Sequence, residues 1–257
     1  TYDQITSEVL MLCKLIEEIY ADFGFGEMRV KFSDRPEMRV GSDDVWDKSE
    51  QALKDACAEA GLEWTLNPGE GAFYGPKLEF VLKDCIGRDW QCGTVQLDFN
   101  MPGRLDAKYV DENGDKKAPV MIHRALLGSL ERFTGILIEN FVGHFPLWLA
   151  PLQITAMGIT DKQNPAVLDL VTKLKKEGFR VDADTRNEKV SYKIREHSVG
   201  KVPVQLVLGD REIENGTVTV RRLGSQNQTT MTVDAFIAAM HDEVQNKRLP
   251  IVEEAAA

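Results

Sequence analysis

Apolar residues at helical spacing predict two long helices near the start of the chain. The first helix spans 3–22 and ends at Gly24, and its apolar positions recur three or four residues apart at Val9, Leu12, Ile16 and Ile19. Ser42 is a suitable N-cap for a second helix that runs to Ala60. Gly61 follows directly and suits a helix C-terminus, because glycine accepts the left-handed conformation found there.

Alternating apolar and polar residues predict strands between and after these helices. The predicted strands span 27–32, 78–83 and 94–99, and 119–123 is a candidate buried strand. A turn-rich acidic cluster at 111–115 separates extended pieces, and a helix is predicted from Ser129 to Asn140. Strands joined by turns and flanked by helices indicate an α+β domain built on an antiparallel sheet.

The pattern changes after the segment 143–151, which contains two prolines and is the best linker candidate. Beyond it, strands alternate with helices: strands at 152–158, 179–183, 203–208 and 217–222, and helices at 164–177, 189–198 and 233–246. This order predicts an α/β domain with a mixed, partly parallel sheet. We therefore expect two domains, 1–146 and 147–257.

The net charge of −10 is confined to the first predicted domain. Residues 1–146 carry 16 basic and 26 acidic side chains, whereas residues 147–257 carry 15 of each. Within the second domain, the segment 186–201 contains more basic than acidic residues. Its acidic residues include Glu188 and Glu196, and its basic residues are Arg186, Lys189, Lys193, Arg195 and Lys201. A local basic surface can bind phosphates even when the total charge is unfavourable.

Four scattered cysteines, with no Cys-x-x-Cys pair, give no indication of a zinc ribbon or a disulfide framework. The longest apolar runs fall well short of a membrane span, and no signal-peptide pattern opens the chain. We therefore expect a reduced cytoplasmic protein with no membrane partner.

Three short segments carry most of the candidate chemistry: 69–77 (GEGAFYGPK), 91–99 (QCGTVQLDF) and 123–133 (HRALLGSLERF). Their glycines allow the backbone to approach a ligand closely. The polar side chains beside them are a phenol, an ammonium, two amides, an imidazole and a guanidinium, at Tyr74, Lys77, Gln91, Gln96, His123 and Arg132. This set suits a polar, anionic, planar substrate such as an aminoacyl nucleotide.

In this order and spacing, the three segments resemble the C-terminal half of the catalytic domain of the threonyl-tRNA synthetases, which are class II aminoacyl-tRNA synthetases. The rest of the chain, from about Trp148, resembles their anticodon-binding domain. The resemblance implies ATP-dependent activation of threonine, with Mg²⁺ accompanying ATP, and transfer to threonine tRNA. It also implies a homodimeric full-length protein.

The resemblance assigns catalytic roles to Arg132, Lys77 and Gln91. Arg132 matches the arginine of the third class II signature motif, which packs on ATP, with Ser129 beside it in the substrate site. From the residues alone, a surface arginine paired with Glu131 is the favoured interpretation of Arg132, and an exposed turn lysine is the commoner case for Lys77. A guanidinium can pair with phosphate oxygens or stack on a purine, and a lysine on a rigid turn is a point charge for a phosphate or carboxylate.

The resemblance places Tyr74, Cys92 and Gln96 around the substrate. Gln91 and Gln96 are separated by an odd number of residues, so a regular strand would direct them to opposite faces. Both can reach the adenylate only if a bulge or twist interrupts the strand near Gly93. Cys92 has no histidine beside it in the sequence, and it is read as a packed thiol that lines the wall of the site rather than a nucleophile.

His123 is an isolated histidine on a predicted apolar strand, where a core position is the commoner case. The resemblance makes it one of three zinc ligands, a His2Cys set whose other members lie earlier in the family's chain. Such a zinc ion, with an open position, can bind the amino and hydroxyl groups of threonine. It would thereby separate threonine from isosteric valine, which an apolar pocket distinguishes poorly.

In the second domain, the resemblance implies that Asn187, Glu212 and Arg221 read anticodon bases. Amides, carboxylates and guanidinium groups are the side chains that base edges in single-stranded loops require. Lys189, Lys193, Arg195 and Lys201 are expected to bind phosphates and to supply salt-dependent affinity.

The chain departs from the family's pattern because the first and second class II motifs, two zinc ligands and the editing domains are missing from it. We therefore expect a fragment that is inactive alone. Two other interpretations remain open. One is a non-catalytic, synthetase-like RNA-binding module, and the other is a related enzyme for proline, glycine or histidine.

Overall fold

The computed structural model describes residues 1–250, which form two compact units divided between Asn140 and Phe141. No helix among the described residues is both long and apolar enough to cross a bilayer.

The first unit is an antiparallel-dominated sheet with two long helices packed together. Its helices are α1 (Ile5–Asp22), α2 (Asp43–Ala60), α3 (Met101–Arg104) and α4 (Leu130–Asn140). Its strands are β1 (Met28–Ser33), β2 (Trp64–Asn67), β3 (Lys77–Lys83), β4 (Asp89–Asp98), β5 (Tyr109–Val110), β6 (Lys116–Lys117) and β7 (Met121–Ala125). The main sheet has the order β2-β1-β3-β4-β7, and only β1 and β2 run parallel.

The alternation of side chains gives this sheet one helix-covered face and one polar face. Leu78, Phe80 and Leu82 are fully buried beneath the helices, together with Ile16 and Tyr20 of α1. Lys77 and Glu79, which alternate with them in the sequence, project from the opposite face. That opposite face is called the polar face below.

Two features of this sheet differ from the prediction. The strand expected at 119–123 spans Met121–Ala125 and is half-exposed rather than buried, because it forms an edge of the sheet and pairs only with β4. The other edge, β2, was not predicted, since four residues show too little alternation to be recognised. The hairpin β5–β6 does enclose the predicted acidic turn.

The second unit is a five-stranded mixed sheet in the order β12-β11-β10-β8-β9. Its strands are β8 (Ile154–Gly158), β9 (Val181–Asp184), β10 (Val204–Leu208), β11 (Thr217–Arg222) and β12 (Gln228–Thr232). Its helices are α5 (Asn164–Lys176), α6 (Val190–Val199), α7 (Asp210–Asn215) and α8 (Val233–Gln245). The strand β8 runs parallel to β9 and β10, while β11 is antiparallel to its neighbours, so the predicted mixed sheet is confirmed.

The two faces of the second sheet differ in chemistry. One face packs its aliphatic residues against α5 and α8 in a single hydrophobic cluster that includes Leu206, Val220 and Phe236. The other face presents polar residues: Thr155, Gln205 and Arg221 lie in one row across paired strands. The α7 helix and the β12 strand were not predicted, because both are short and largely exposed.

Candidate active site and RNA-binding surface

The glycine-rich loop 69–77 is held tightly against the end of β4. The backbone N–H of Leu97 donates to the carbonyl oxygen of Pro76 at 3.1 Å. A Cβ atom on Gly75 would lie 1.8 Å from the carbonyl oxygen of Leu97, so only glycine allows this approach. The loop therefore fixes the backbone that carries Tyr74 and Lys77.

A β-bulge at Cys92 interrupts β4. Phe80 of β3 faces Gly93, while the next residue, Val81, faces Gln91, so Cys92 is the additional residue. The bulge changes the alternation by one position and brings Gln91 to the polar face. Its Nε2 donates to Oγ1 of Thr94 at 2.9 Å. Gln91 and Gln96 can share a face of the sheet only if the strand is interrupted near Gly93, and this bulge is such an interruption.

Four of the residues singled out in the sequence lie together on the polar face. Lys77, Gln96 and His123 are direct partners in one row across β3, β4 and β7. The hydroxyl of Tyr74 donates to Oε1 of Gln96 at 3.2 Å, and its ring lies edge-on to the imidazole of His123 with centroids 6.1 Å apart. The row combines a cation, an amide, a phenol and an imidazole.

The ammonium group of Lys77 has a carboxylate partner that the sequence analysis missed. Its Nζ lies 2.6 Å from Oε1 of Glu79, a residue that is 6% exposed. The hydroxyl of Ser33 donates to the same oxygen at 3.2 Å. Glu79 lies two positions after Lys77 on the same strand face, and this i, i+2 spacing is the signal that could have identified the pair.

His123 is oriented by the buried carboxylate of Asp98. Its Nε2 lies 2.8 Å from Oδ2 of Asp98, and the other carboxylate oxygen accepts the backbone N–H groups of Asn100 and Met101. Burial opposes ionisation of Asp98, but these hydrogen bonds outweigh it and lower the pKa of the carboxyl group. Among the described residues, Nδ1 of the imidazole makes no hydrogen bond.

This arrangement fits one ligand of a metal site. Metal-binding histidines commonly donate their second ring nitrogen to a carboxylate, as His123 does to Asp98. Within residues 1–250 no group of three or more potential ligands is close enough to hold a metal ion. A zinc ion at His123 would therefore need ligands from outside the described residues.

Arg132 belongs to a second cluster, on the helix-covered side. The carbon of its guanidinium group lies 5.2 Å from the centroid of the Trp90 ring. Ser129 precedes α4, and its Oγ accepts the backbone N–H of Arg132 at 3.3 Å. Among the described residues, no contact joins this cluster to the row of Lys77, Gln96 and His123.

Cys92 lies in this second cluster rather than on the polar face. Its side chain is buried near Tyr20 of α1, and burial raises the pKa of its thiol, while the nearby guanidinium of Arg132 opposes the increase. A Cβ on Gly128 would lie 2.9 Å from the carbonyl oxygen of Cys92, so the loop before α4 packs directly on the bulge. Cys92 is therefore a packed thiol, as expected, and it faces the helices.

In the second unit, the structure leaves most of the predicted RNA-contacting residues accessible. Asn187, Lys189 and Arg195 are exposed at the loop before α6 and on that helix. Arg221 is half-buried on the second sheet, on the face that carries Thr155 and Gln205, and it lies between Gln205 and Gln228 of the paired strands.

The expected phosphate contact of Lys193 is wrong. Lys193 is 2% exposed, and its Nζ donates to the carbonyl oxygen of Asp184 at 3.1 Å inside the unit. The helix α6 directs this side chain toward the sheet, where its aliphatic stem is buried and its charge meets a backbone acceptor. Composition alone could not reveal this orientation.

Glu212 is engaged within the protein. Its carboxylate accepts the backbone N–H of Gly209 at 2.8 Å and the hydroxyl of Thr219 at 3.0 Å. The desolvation of Glu212 is outweighed by these hydrogen bonds, and its pKa is lowered. Glu212 also borders an open cleft of about 460 Å³, together with Leu170 of α5 and Val233 of α8.

Asp184, which the sequence analysis did not identify, organises the basic loop. Its carboxylate accepts three hydrogen bonds from Arg186, through the backbone N–H, Nε and Nη2 at 2.7–3.2 Å, and one from Nε2 of His197 at 2.9 Å. The Arg186 guanidinium is the main cause that lowers the pKa of Asp184, against the effect of burial. Asp184 thus holds an exposed arginine in place at the sheet edge.

Comparison with known proteins identifies the family. Residues 1–141 match the tRNA synthetase class II core domain (G, H, P, S and T), and residues 149–243 match the anticodon binding domain. The chain belongs to the class II tRNA synthetases. The predicted fold class, an antiparallel class II core followed by a mixed-sheet anticodon-binding domain, is confirmed.

Curated relatives indicate which member of the family the chain resembles. It is 60% identical over 243 residues to a threonine–tRNA ligase of Paramagnetospirillum magneticum and 58% identical to that of Rhodospirillum rubrum. Each alignment covers 95% of this chain but 38% of the relative, so the chain spans well under half of these proteins.

A solved structure described as the RNA binding domain of threonyl-tRNA synthetase from Cryptosporidium parvum is similar throughout. Its TM-score is 0.89 at 35% identity, with 95% of this chain and 61% of that chain covered. A threonyl-tRNA synthetase from Aeropyrum pernix, described as putative, superposes with a TM-score of 0.76 at 26% identity and covers 97% of this chain and 63% of that chain.

Proposed function

We propose that the whole protein to which these residues belong is a threonine–tRNA ligase. It activates threonine with ATP to form threonyl-adenylate and transfers the threonyl group to the 3′ end of threonine tRNA. The observation that carries the proposal is the row of Lys77, Gln96 and His123 with Tyr74 above it. Relatives 55–60% identical to this chain bear the same name.

The row suits the two substrates of the first step. The carboxylate of threonine attacks the α-phosphate of ATP, and no covalent enzyme intermediate is needed, so positioning and charge stabilisation supply most of the catalysis. Tyr74 and Gln96 offer a hydroxyl and an amide to threonine. Lys77 and Gln91 on the polar face, and Arg132 from its separate cluster beside Trp90, are assigned to ATP, which binds with Mg²⁺. Ser129 and Cys92 are assigned to the adjoining wall. The orientation of Cys92 toward the helices leaves its backbone, rather than its thiol, for that wall.

Zinc is proposed as the resident metal, with Nδ1 of His123 as the ligand from this chain. When bound, zinc supplies an electrophilic position for the amino and hydroxyl groups of threonine. Asp98 fixes the imidazole through Nε2, which leaves Nδ1 as the nitrogen for the metal. The remaining ligands would come from parts of the protein outside these residues.

The second unit is proposed to bind the anticodon of threonine tRNA. Asn187, Glu212 and Arg221 would contact base edges, and Lys189 and Arg195 the phosphates. Support comes from the exposure of Asn187, Lys189 and Arg195 and from the match to anticodon binding domains. The whole protein is further proposed to be a cytoplasmic homodimer, as the family resemblance implies.

ATP–pyrophosphate exchange on the whole protein tests the activity. We expect exchange with threonine and at least about 100-fold less with valine, proline, glycine or histidine. Exchange with one of the last three would identify the related enzyme instead, and no exchange with any amino acid would support the non-catalytic RNA-binding module. Arg132→Ala should reduce exchange by about 100-fold or more.

A further inference from the structure

Trp90 is a half-buried tryptophan to which the proposed function assigns no role. It lies on β4 immediately before Gln91 and the bulge, and it projects on the side of Leu82, its partner on β3. Two guanidinium groups lie over its indole ring, that of Arg88 at 5.4 Å and that of Arg132 at 5.2 Å from the ring centroid. This is a cation–π arrangement.

The two arginines differ in their other partners. Arg88 is neutralised by Asp84, with its Nε 2.5 Å from Oδ2, and its Nη2 lies 4.0 Å from Glu139. Among residues 1–250, the guanidinium of Arg132 makes no hydrogen bond or ion pair, and its neighbours are the indole and the thiol of Cys92. Its N–H donors are therefore uncommitted, and its charge remains available to an anionic ligand.

The indole itself is fixed by the turn that joins β3 to β4. Its Nε1 donates to Oδ2 of Asp84 at 2.9 Å, and the Asp84 side chain is fully buried. The other carboxylate oxygen accepts the backbone N–H groups of Ile86 and Arg88 at 3.1 and 2.8 Å. Burial opposes ionisation of Asp84, but these hydrogen bonds outweigh it and hold its pKa well below the usual range.

We propose that Trp90 is a positioning residue for Arg132, which it holds in the orientation that ATP requires. An arginine side chain on a helix has many rotamers, and fixing it only on binding costs conformational entropy. The stack on Trp90 removes most of that cost before ATP arrives, while Asp84 keeps the indole in place. The proposal rests on the assignment of Arg132 to ATP.

The experiment measures ATP–pyrophosphate exchange on the whole protein with Trp90→Leu, Trp90→Phe, Arg132→Ala and the double variant Trp90→Leu/Arg132→Ala. Trp90→Leu should raise the KM for ATP about 2- to 30-fold, the range for loss of one cation–π contact, and leave the KM for threonine close to wild type. Its Tm should fall, because the buried Asp84 carboxylate loses the indole N–H donor. Trp90→Phe, which keeps an aromatic face, should recover most of the ATP affinity. Trp64→Leu, in the same sheet, is the matched control, and its KM for ATP should not change.

The double variant distinguishes positioning from a general structural effect. If Trp90 acts through Arg132, Trp90→Leu has no further effect on exchange once Arg132 is alanine. Equal effects in both backgrounds, an unchanged KM for ATP in Trp90→Leu, or equal losses in Trp64→Leu would overturn the proposal. Near-normal exchange by Arg132→Ala alone would instead show that Arg132 does not bind ATP, and the assignment of Arg132 under the proposed function would then be wrong.

Discussion

The carboxylate of Asp98 on β4 and the imidazole of His123 on β7 form a hydrogen bond of 2.8 Å. The two residues are 25 positions apart in the sequence. The carboxylate is 2% exposed, whereas the histidine side chain is 42% exposed. The buried partner therefore holds the accessible one. A buried carboxylate that supports an accessible imidazole is the arrangement expected for a metal-binding histidine.

We expect the 257-residue chain alone to retain little zinc, because one imidazole cannot complete a tetrahedral site. Metal analysis after dialysis against a mild chelator checks this, and stoichiometric zinc in the isolated chain would contradict it. In the whole protein, Asp98→Asn should lower zinc affinity about 10- to 100-fold and His123→Ala should abolish it. Asp106→Asn, in an exposed turn, is the control.

The loop that carries Tyr74 and Lys77 should be intolerant of any side chain at position 75. In Gly75→Ala the new Cβ would lie 1.8 Å from a backbone oxygen of Leu97, which no rotamer change can relieve. We expect a loss of about 3 kcal/mol or more in the free energy of unfolding, measured by denaturant titration. Gly26→Ala has no atom within 4 Å of its Cβ and should be nearly neutral.

The polar face of the first unit was predictable from the sequence only in part. The odd separation of Gln91 and Gln96 indicated that a shared face needs a bulge, and the bulge lies at Cys92. The row of Lys77, Gln96 and His123 depends on strand register, which no local pattern specifies when the loops are long.

The partners of the predicted residues were harder to find. Asp98, Glu79 and Trp90 read as ordinary strand residues, because their importance comes from contacts across strands or with a later helix. Lys193 shows the opposite error. Its charge indicated a surface residue, yet its position on α6 directs it toward Asp184. Helical phase decides burial there, and a short polar helix gives little amphipathic signal to reveal that phase.

The carboxylate of Asp184 should make the stability of the chain depend on pH in the acid range. Hydrogen bonds from Arg186 lower its pKa in the folded state, so its contribution is complete above the unfolded value of about 4. The contribution is lost as the pH falls through the lower folded pKa. Asp184→Asn should therefore cost about 1–3 kcal/mol at pH 7 and progressively less toward pH 3.

Denaturant titrations at pH 7, 5 and 3 provide the measurement. The control is Asp182→Asn, on the same strand but with its side chain 71% exposed, and it should change stability little at any pH. A gap between Asp184→Asn and wild type that stays constant with pH would show that the carboxylate's charge is not the stabilising feature.

Lys189 and Lys193 should respond differently to the same substitution, although they lie four residues apart. Lys193→Ala removes a buried aliphatic stem and the ammonium that donates to the Asp184 carbonyl, and we expect it to cost about 1–3 kcal/mol of stability. Lys189→Ala should leave stability unchanged, weaken binding to all tRNAs alike and reduce the salt slope by about 1. Thermal unfolding and tRNA binding at several salt concentrations measure both effects. A stable Lys193→Ala variant with a reduced salt slope would restore the phosphate contact rejected above.

Arg221 should affect specificity rather than overall affinity for RNA. It lies half-buried between Gln205 and Gln228 on the polar face of the second sheet, where its guanidinium can reach a base edge without the freedom of a surface arginine. Arg221→Ala in the whole protein should cost about 1–3 kcal/mol with cognate tRNA and relax the preference at one anticodon base. The measurement compares threonine tRNA with anticodon-substituted tRNAs at matched salt. Lys189→Ala is the control, because loss of a phosphate contact lowers all affinities equally. If Arg221→Ala lowers all affinities in the same proportion, Arg221 binds the backbone and the base-reading role assigned to it is wrong.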